Sequence, residues 1–185
     1  MIYPIVAYGD PVLKRRAQEI DKNYPKLKEL IDDMYATMYK SNGVGLAAPQ
    51  IGLSIRMFIT DGAPFSEDDE QTSKFKEVFI NPVMLEEYDA KWKFNEGCLS
   101  VPGIREDITR CGTIRIKYCD ANFVEHEKIF TGIAARIVQH EYDHLEGKLF
   151  IDHISPLRRN LLRSKLNDIA KGITDAEYKM KFFKK

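Results

Sequence analysis

The 185-residue chain is 44% hydrophobic and 30% charged, with 28 basic against 28 acidic residues. That length suits one compact domain able to bury about 70% of its unfolded surface without disulfides or a structural metal, and zero net charge argues against a general nucleic-acid binder or an acidic tail protein. No apolar run approaches the roughly 18 residues of a membrane span, Pro4, Asp10 and Pro11 interrupt any signal-like stretch, and three cysteines make no secreted scaffold, so a cytoplasmic protein with no membrane partner is expected.

From Pro25 to Asn42, the spacing of Leu27, Leu30, Ile31, Met34, Tyr35 and Met38 predicts a helix, with Pro25 in its first turn and Gly43 ending it. Ser54–Thr60 and Glu77–Asn81 are rich in Ile, Val, Phe and Met and predict strands. Between them Asp61–Ser73, polar and turn-rich within an acidic insertion around residues 61–75, reads as a mobile surface loop. Thr113–Asp120 alternates as a half-buried strand does, and Val124–Phe130 returns beside it through a turn at Asp120–Phe123. Thr131 caps a helix running through Ile133, Ile137 and Leu145 to Gly147. Ser155-Pro156 opens a last helix through Leu161, Leu162, Leu166 and Ile169 towards Gly172. Helices bracketing a strand-rich centre predict an α+β fold with antiparallel sheets.

The most pointed motif is His140-Glu141-Tyr142-Asp143-His144. Residues four apart on a helix lie one turn above each other, so both imidazoles can reach one metal with Glu141 beside them to handle the proton of a water. Two histidines leave a catalytic site short of its usual third ligand. Phe150 stands where one metallopeptidase pattern needs a histidine, His153 comes three residues late, and Glu177 lies in a charged tail. Cys98 is the better candidate, because Gly97 and Pro102 shape an irregular loop around it rather than a packed strand. Cys111 and Cys119 share one strand parity and read as small buried hydrophobes. Two glycines in Gly43-Val-Gly-Leu-Ala-Ala-Pro-Gln50 allow close approach to a ligand, though the segment lacks the lysine and Ser/Thr of a phosphate loop.

Taken together, Gly43–Gln50, Glu96-Gly-Cys-Leu-Ser100 and Gln139–His144 resemble the three motifs of the peptide deformylases, in that family's order and spacing. The resemblance spans roughly residues 5–170 and implies residues 1–172 as one catalytic domain, with 173–185 as an unmatched basic tail. It implies antiparallel sheets packed around a central metal-binding helix, between N-terminal and C-terminal helices. The implied activity is hydrolysis of the N-formyl group from the initiator methionine of nascent chains, with release of formate.

Carried over residue by residue, the resemblance makes Cys98, His140 and His144 the metal ligands and Glu141 the general base and acid. Gln50, through its amide, and Leu99, through its backbone N–H, would stabilise the oxyanion. Val44, Phe94, Ile133 and Ile137 would line the methionine pocket, with Arg105 near its rim and the peptide extended along Gly45. The metal implied is Fe²⁺ in the cell, although one thiolate and two imidazoles suit Zn²⁺ equally on ligand type. Arg110 would hold Glu96 behind the Cys98 segment.

Residues 156–185 hold nine basic and three acidic residues. Arg158, Arg159, Arg163, Lys165 and Lys171 read either as a solvated face or as a ribosome contact made through phosphates. Two other functions compete with the deformylase: a zinc peptidase with an unrecognised third ligand, and a ribosome- or RNA-binding domain with a closed structural metal site.

Overall fold

The computed structural model describes residues 1–65 and 74–183. The chain begins with β1 (Ile5–Val6), followed by α1 (Leu27–Lys40), β2 (Gly45–Ala47) and β3 (Met57–Asp61). Two long strands follow, β4 (Lys76–Cys98) and β5 (Val101–Cys119), then β6 (Glu125–Thr131) and α2 (Gly132–Leu145). Short helices α3 (Pro156–Leu161) and α4 (Arg163–Ala170) precede β7 (Met180–Lys181). The five strands β2-β3-β4-β5-β6 form one antiparallel sheet in chain order.

The sheet lies between two helices, and β3 shows why. Its residues alternate between two cores: Met57 and Ile59 join Leu30, Met34 and Met38 of α1, whereas Phe58 joins Ala135 and Val138 of α2. A strand buried on both faces needs a continuous apolar run, as the sequence has here. On the α2 side the Phe58 and Phe79 rings stack at 4.5 Å, and Tyr118 lies 4.3 Å from Phe79. A third cluster, including Val101, Ile108, Phe150, Leu166 and Ile169, packs α4 and the 150–152 turn on the start of β5.

Several expectations change in the structure. The helix expected from Pro25 starts at Leu27, because Lys26 adopts φ 55° in the left-handed region. The short strand Glu77–Asn81 is the start of 23-residue β4, which continues through three register shifts before its last residues. Cys98 is the final residue of that strand, next to a tight turn, and not part of an irregular loop. Cys111 and Cys119 are only half-buried on β5. The last helix breaks at Leu162 into α3 and α4, and Leu161 faces solvent. Residues 66–73 of the acidic insertion lie outside the described residues. The segment after Gly172 returns to the body, where β7 pairs parallel with β1. Among the described residues no helix is long and apolar enough to cross a membrane.

Candidate active site

Helix α2 and the turn between β4 and β5 bring the chemistry together. His140 and His144 occupy one face of α2 at a four-residue spacing, and Cys98 ends β4 opposite them. Ligand atoms from these three side chains all lie within 4.8 Å of one another. Cys98 Sγ is 3.4 Å from His144 Nε2. Burial alone would push the Cys98 thiol up, but His144 and then His140 outweigh it and draw it down to about 5. One thiolate and two imidazoles within such reach could hold a divalent ion.

Behind this cluster lies a buried charge network. Arg110 grips Glu96 with Nε and Nη2 at 2.8 and 3.0 Å and reaches Asp143 with Nη1 at 2.7 Å. Arg136 adds a contact from Nη1 to Glu96 at 3.1 Å and donates to the carbonyls of Trp92 and Ile108. Burial disfavours the Glu96 carboxylate, yet His140 and Arg110 more than compensate and hold it well below the usual range. Glu96 Oε2 also meets His140 Nδ1 at 2.9 Å, which leaves Nε2 as the nitrogen available on the cluster side. Burial lowers the His140 imidazolium, but Cys98 and Glu96 raise it above its ordinary value.

Glu141 is buried, and its Oε2 has no hydrogen-bond partner among the described residues. Its carboxyl is pushed up to about 7 by burial, against the opposing pull of His140 and His144. A Cβ on Gly45 would lie 2.4 Å from Glu141 Oε1, so only glycine lets β2 pass this carboxylate. Gln50 is buried in the turn after β2, with Oε1 accepting from the Ala47 amide at 2.8 Å. That contact aims its NH₂ at Cys98 Sγ and Ser100 Oγ, each 3.5 Å away. One end of the amide is anchored and the other faces the cluster.

A cleft of about 850 Å³ opens over these groups. Val44, Gly45, Gln50, Phe94, Leu99, Arg105, Ile137, His140 and Glu141 all line it. His144 sits beneath, fully buried. Ile133 does not line the cleft; it packs half-buried on the α2 core. Arg105 is exposed at the edge, bound to Asn95 through Nε at 2.7 Å.

A profile of the polypeptide deformylase family matches residues 2–160. The chain belongs to the polypeptide deformylase family. A peptide deformylase of Christiangramia forsetii is 53% identical over 189 residues, covering 98% of this chain and 96% of its own. One from Cytophaga hutchinsonii is 51% identical, covering 98% of each chain. The solved peptide deformylase of Plasmodium falciparum, in complex with an inhibitor, is 39% identical with a TM-score of 0.78, covering 90% of this chain and 99% of that one. The resemblance drawn from three motifs therefore holds, and it decides against the peptidase and RNA-binding readings. The chain is a hydrolase of a metal-dependent family and removes the N-formyl group from nascent peptides, releasing formate.

Sequence reasoning missed Arg136, Asp143 and Tyr178. Arg136 had a readable signal, since a lone arginine inside Ala134-Ala135-Arg136-Ile137-Val138 must be paired if that face is buried. Asp143 showed only as a variable position between the histidines. Tyr178, whose hydroxyl donates to the Leu99 carbonyl at 2.8 Å, had no local signal.

Proposed function

We propose that Cys98, His140 and His144 hold one divalent ion, Fe²⁺ in the cell with Zn²⁺ and other divalent ions able to replace it. The observation that carries this is the convergence of three ligand atoms within 4.8 Å beside the buried carboxylate of Glu141. When bound, such an ion lowers the pKa of a water towards about 7.

Glu141 takes the proton of the attacking water and passes it to the departing amine. As the formyl carbon becomes tetrahedral, its oxygen gathers charge. The anchored amide of Gln50 and the backbone N–H of Leu99 meet that charge, and one such donor contributes on the order of 3 kcal/mol in the transition state. Val44, Phe94 and Ile137 form the methionine slot, with Arg105 at its rim and Ile133 left behind it in the α2 core. A flexible, polarizable thioether suits an apolar slot of this kind. Because β2 is the edge strand, the peptide behind the formyl group extends along Gly45 as an added strand.

The cytoplasm is the place of action, where formylated chains emerge from the ribosome. On the basic C-terminal helices, Arg158 and Arg159 are paired with Glu106 and Asp152. Arg163, Lys165 and Lys171 remain for salt-sensitive phosphate contacts.

The test is formate release from a formyl-Met peptide by metal-loaded protein. Glu141→Gln keeps its metal and loses at least about 10²-fold in turnover, the usual scale for a lost general base. Near-normal turnover in the metal-loaded variant would remove Glu141 from the mechanism.

A further inference from the structure

The turn between β4 and β5 consists of Leu99 and Ser100, closed by the pairing of Cys98 with Val101. In the proposed mechanism this short turn carries two functions at once, a ligand at its start and an oxyanion donor in its first peptide. Its aim must therefore be fixed to within a fraction of an ångström. A two-residue turn has no internal contacts that could do this alone.

Both carbonyls of the turn are held from outside the hairpin, and by opposite ends of the chain. The Tyr178 hydroxyl donates to the Leu99 carbonyl at 2.8 Å, and the Tyr8 amide donates to the Ser100 carbonyl at 2.8 Å. Tyr8 lies two residues after β1, and Tyr178 lies two residues before β7. Those strands are joined in parallel, with the Ile5 amide donating to Lys179 at 2.8 Å and the Ala7 amide to Lys181 at 2.9 Å. Tyr178 and Met180 also pack into the core that holds Ile5, Met34 and Met38. The joined ends are thus tied to the interior as well as to the turn.

We infer that the β1–β7 pair is a clamp on the Leu99–Ser100 turn, and that Tyr178 is a positioning residue for deformylation. This rests on the proposed roles of Cys98 and Leu99. A carbonyl held by a hydrogen bond fixes its peptide plane, which limits ψ of Leu99. The Cys98–Val101 pairing restrains the other side of the turn. Together they set the direction of the Leu99 N–H. Tyr178 lies beyond the residues 2–160 matched by the family profile, in the segment that also walls the cleft through Ile173 and Ala176.

Tyr178→Phe tests this by removing one O–H and leaving the ring to pack. The expected result is a kcat about tenfold lower on a formyl-Met peptide, with KM within about twofold of the parent. Metal content and melting temperature stay at parental values. In the zinc-loaded protein, the Leu99 and Ser100 amide resonances shift and broaden, while those in the middle of β4 and β5 do not. A parental kcat with unchanged turn resonances would overturn the clamp. So would a loss of activity matched by an equal loss of metal or thermal stability, since that is a structural role only. Failure of the parent protein itself to release formate would instead strike the underlying assignment of the site.

Discussion

The β4–β5 hairpin carries two arginines that bind carboxylates in the same manner at opposite depths. Near the site, Arg110 holds Glu96 and Asp143, with side-chain exposures of 6%, 3% and 14%. Further along β5, Arg115 holds Glu86 and Glu127 at 2.7 and 2.6 Å, with exposures of 33%, 54% and 51%. The bond lengths are alike, so geometry does not separate them. Solvent does. Water competes for each group around Arg115 and screens the charges, so that cluster contributes little to stability. Around Arg110 the groups are desolvated, so each charge depends on an opposite charge within the network. That dependence has a functional side, because the same Glu96 that pairs with Arg110 and Arg136 also meets His140. The buried cluster is a positioning device, and the exposed one decorates a surface.

The sharpest way to break this comparison is to remove Glu96. Glu96→Ala leaves Arg110 and Arg136 buried without their shared carboxylate and frees the His140 ring to turn. The expected loss is about 3–5 kcal/mol of unfolding free energy, the scale for breaking a buried ion pair. Metal affinity should fall about 10- to 100-fold, as when a partner behind a ligand is lost. Urea unfolding and metal titration read the two effects separately. A stability loss under about 1 kcal/mol would put Arg110 in the same class as a surface pair.

A smaller effect isolates shape from charge. Arg110→Lys keeps the positive charge but cannot offer parallel donors to both oxygens of Glu96 while reaching Asp143. Losing one charge-assisted hydrogen bond in a buried setting should cost about 2 kcal/mol in urea unfolding. Full stability in this variant would mean that the guanidinium fork is not what the network needs.

The depth of these charges also explains what could be read from the chain alone. Helices α1 and α2 and strand β3 bury regular faces, and their apolar periods lie open in the sequence. The middle of the hairpin does not. Residues 85–91 are exposed on both faces, so no alternation of polarity marks them as strand. Asp89, at φ 66°, further interrupts the ladder. The alternation resumes at Lys91-Trp92-Lys93-Phe94-Asn95-Glu96, where the outward residues are Lys91, Lys93 and Asn95. That pattern was legible and would have placed Glu96 on the inward face. At the site, Cys98, His140 and His144 stand out by type and spacing, and the structure brings them together. The apolar run around Arg136 shows that it needs a partner but not that the partner is Glu96, 40 positions away. The contact of Tyr178 with Leu99, 79 positions away, leaves no local trace at all.

The least effect is expected at the exposed end, and salt turns it into a test. Glu86→Ala removes one partner of Arg115, whose guanidinium still meets Glu127 and stays open to solvent. The urea midpoint should not move measurably. Any residual coupling depends on charges that solvent reaches, and at 1 M salt the screening length shrinks to about 3 Å, comparable with the contact itself. Parent and Glu86→Ala should therefore remain together between low and high salt. The deficit of Glu96→Ala should persist, because a desolvated guanidinium is beyond the reach of mobile ions. Measuring both variants at both salt concentrations separates the two ends by mechanism as well as size. A Glu86→Ala deficit that survives high salt would show that Arg115 is held by packing rather than by solvent-exposed charge, and the distinction between the two ends would fail there first.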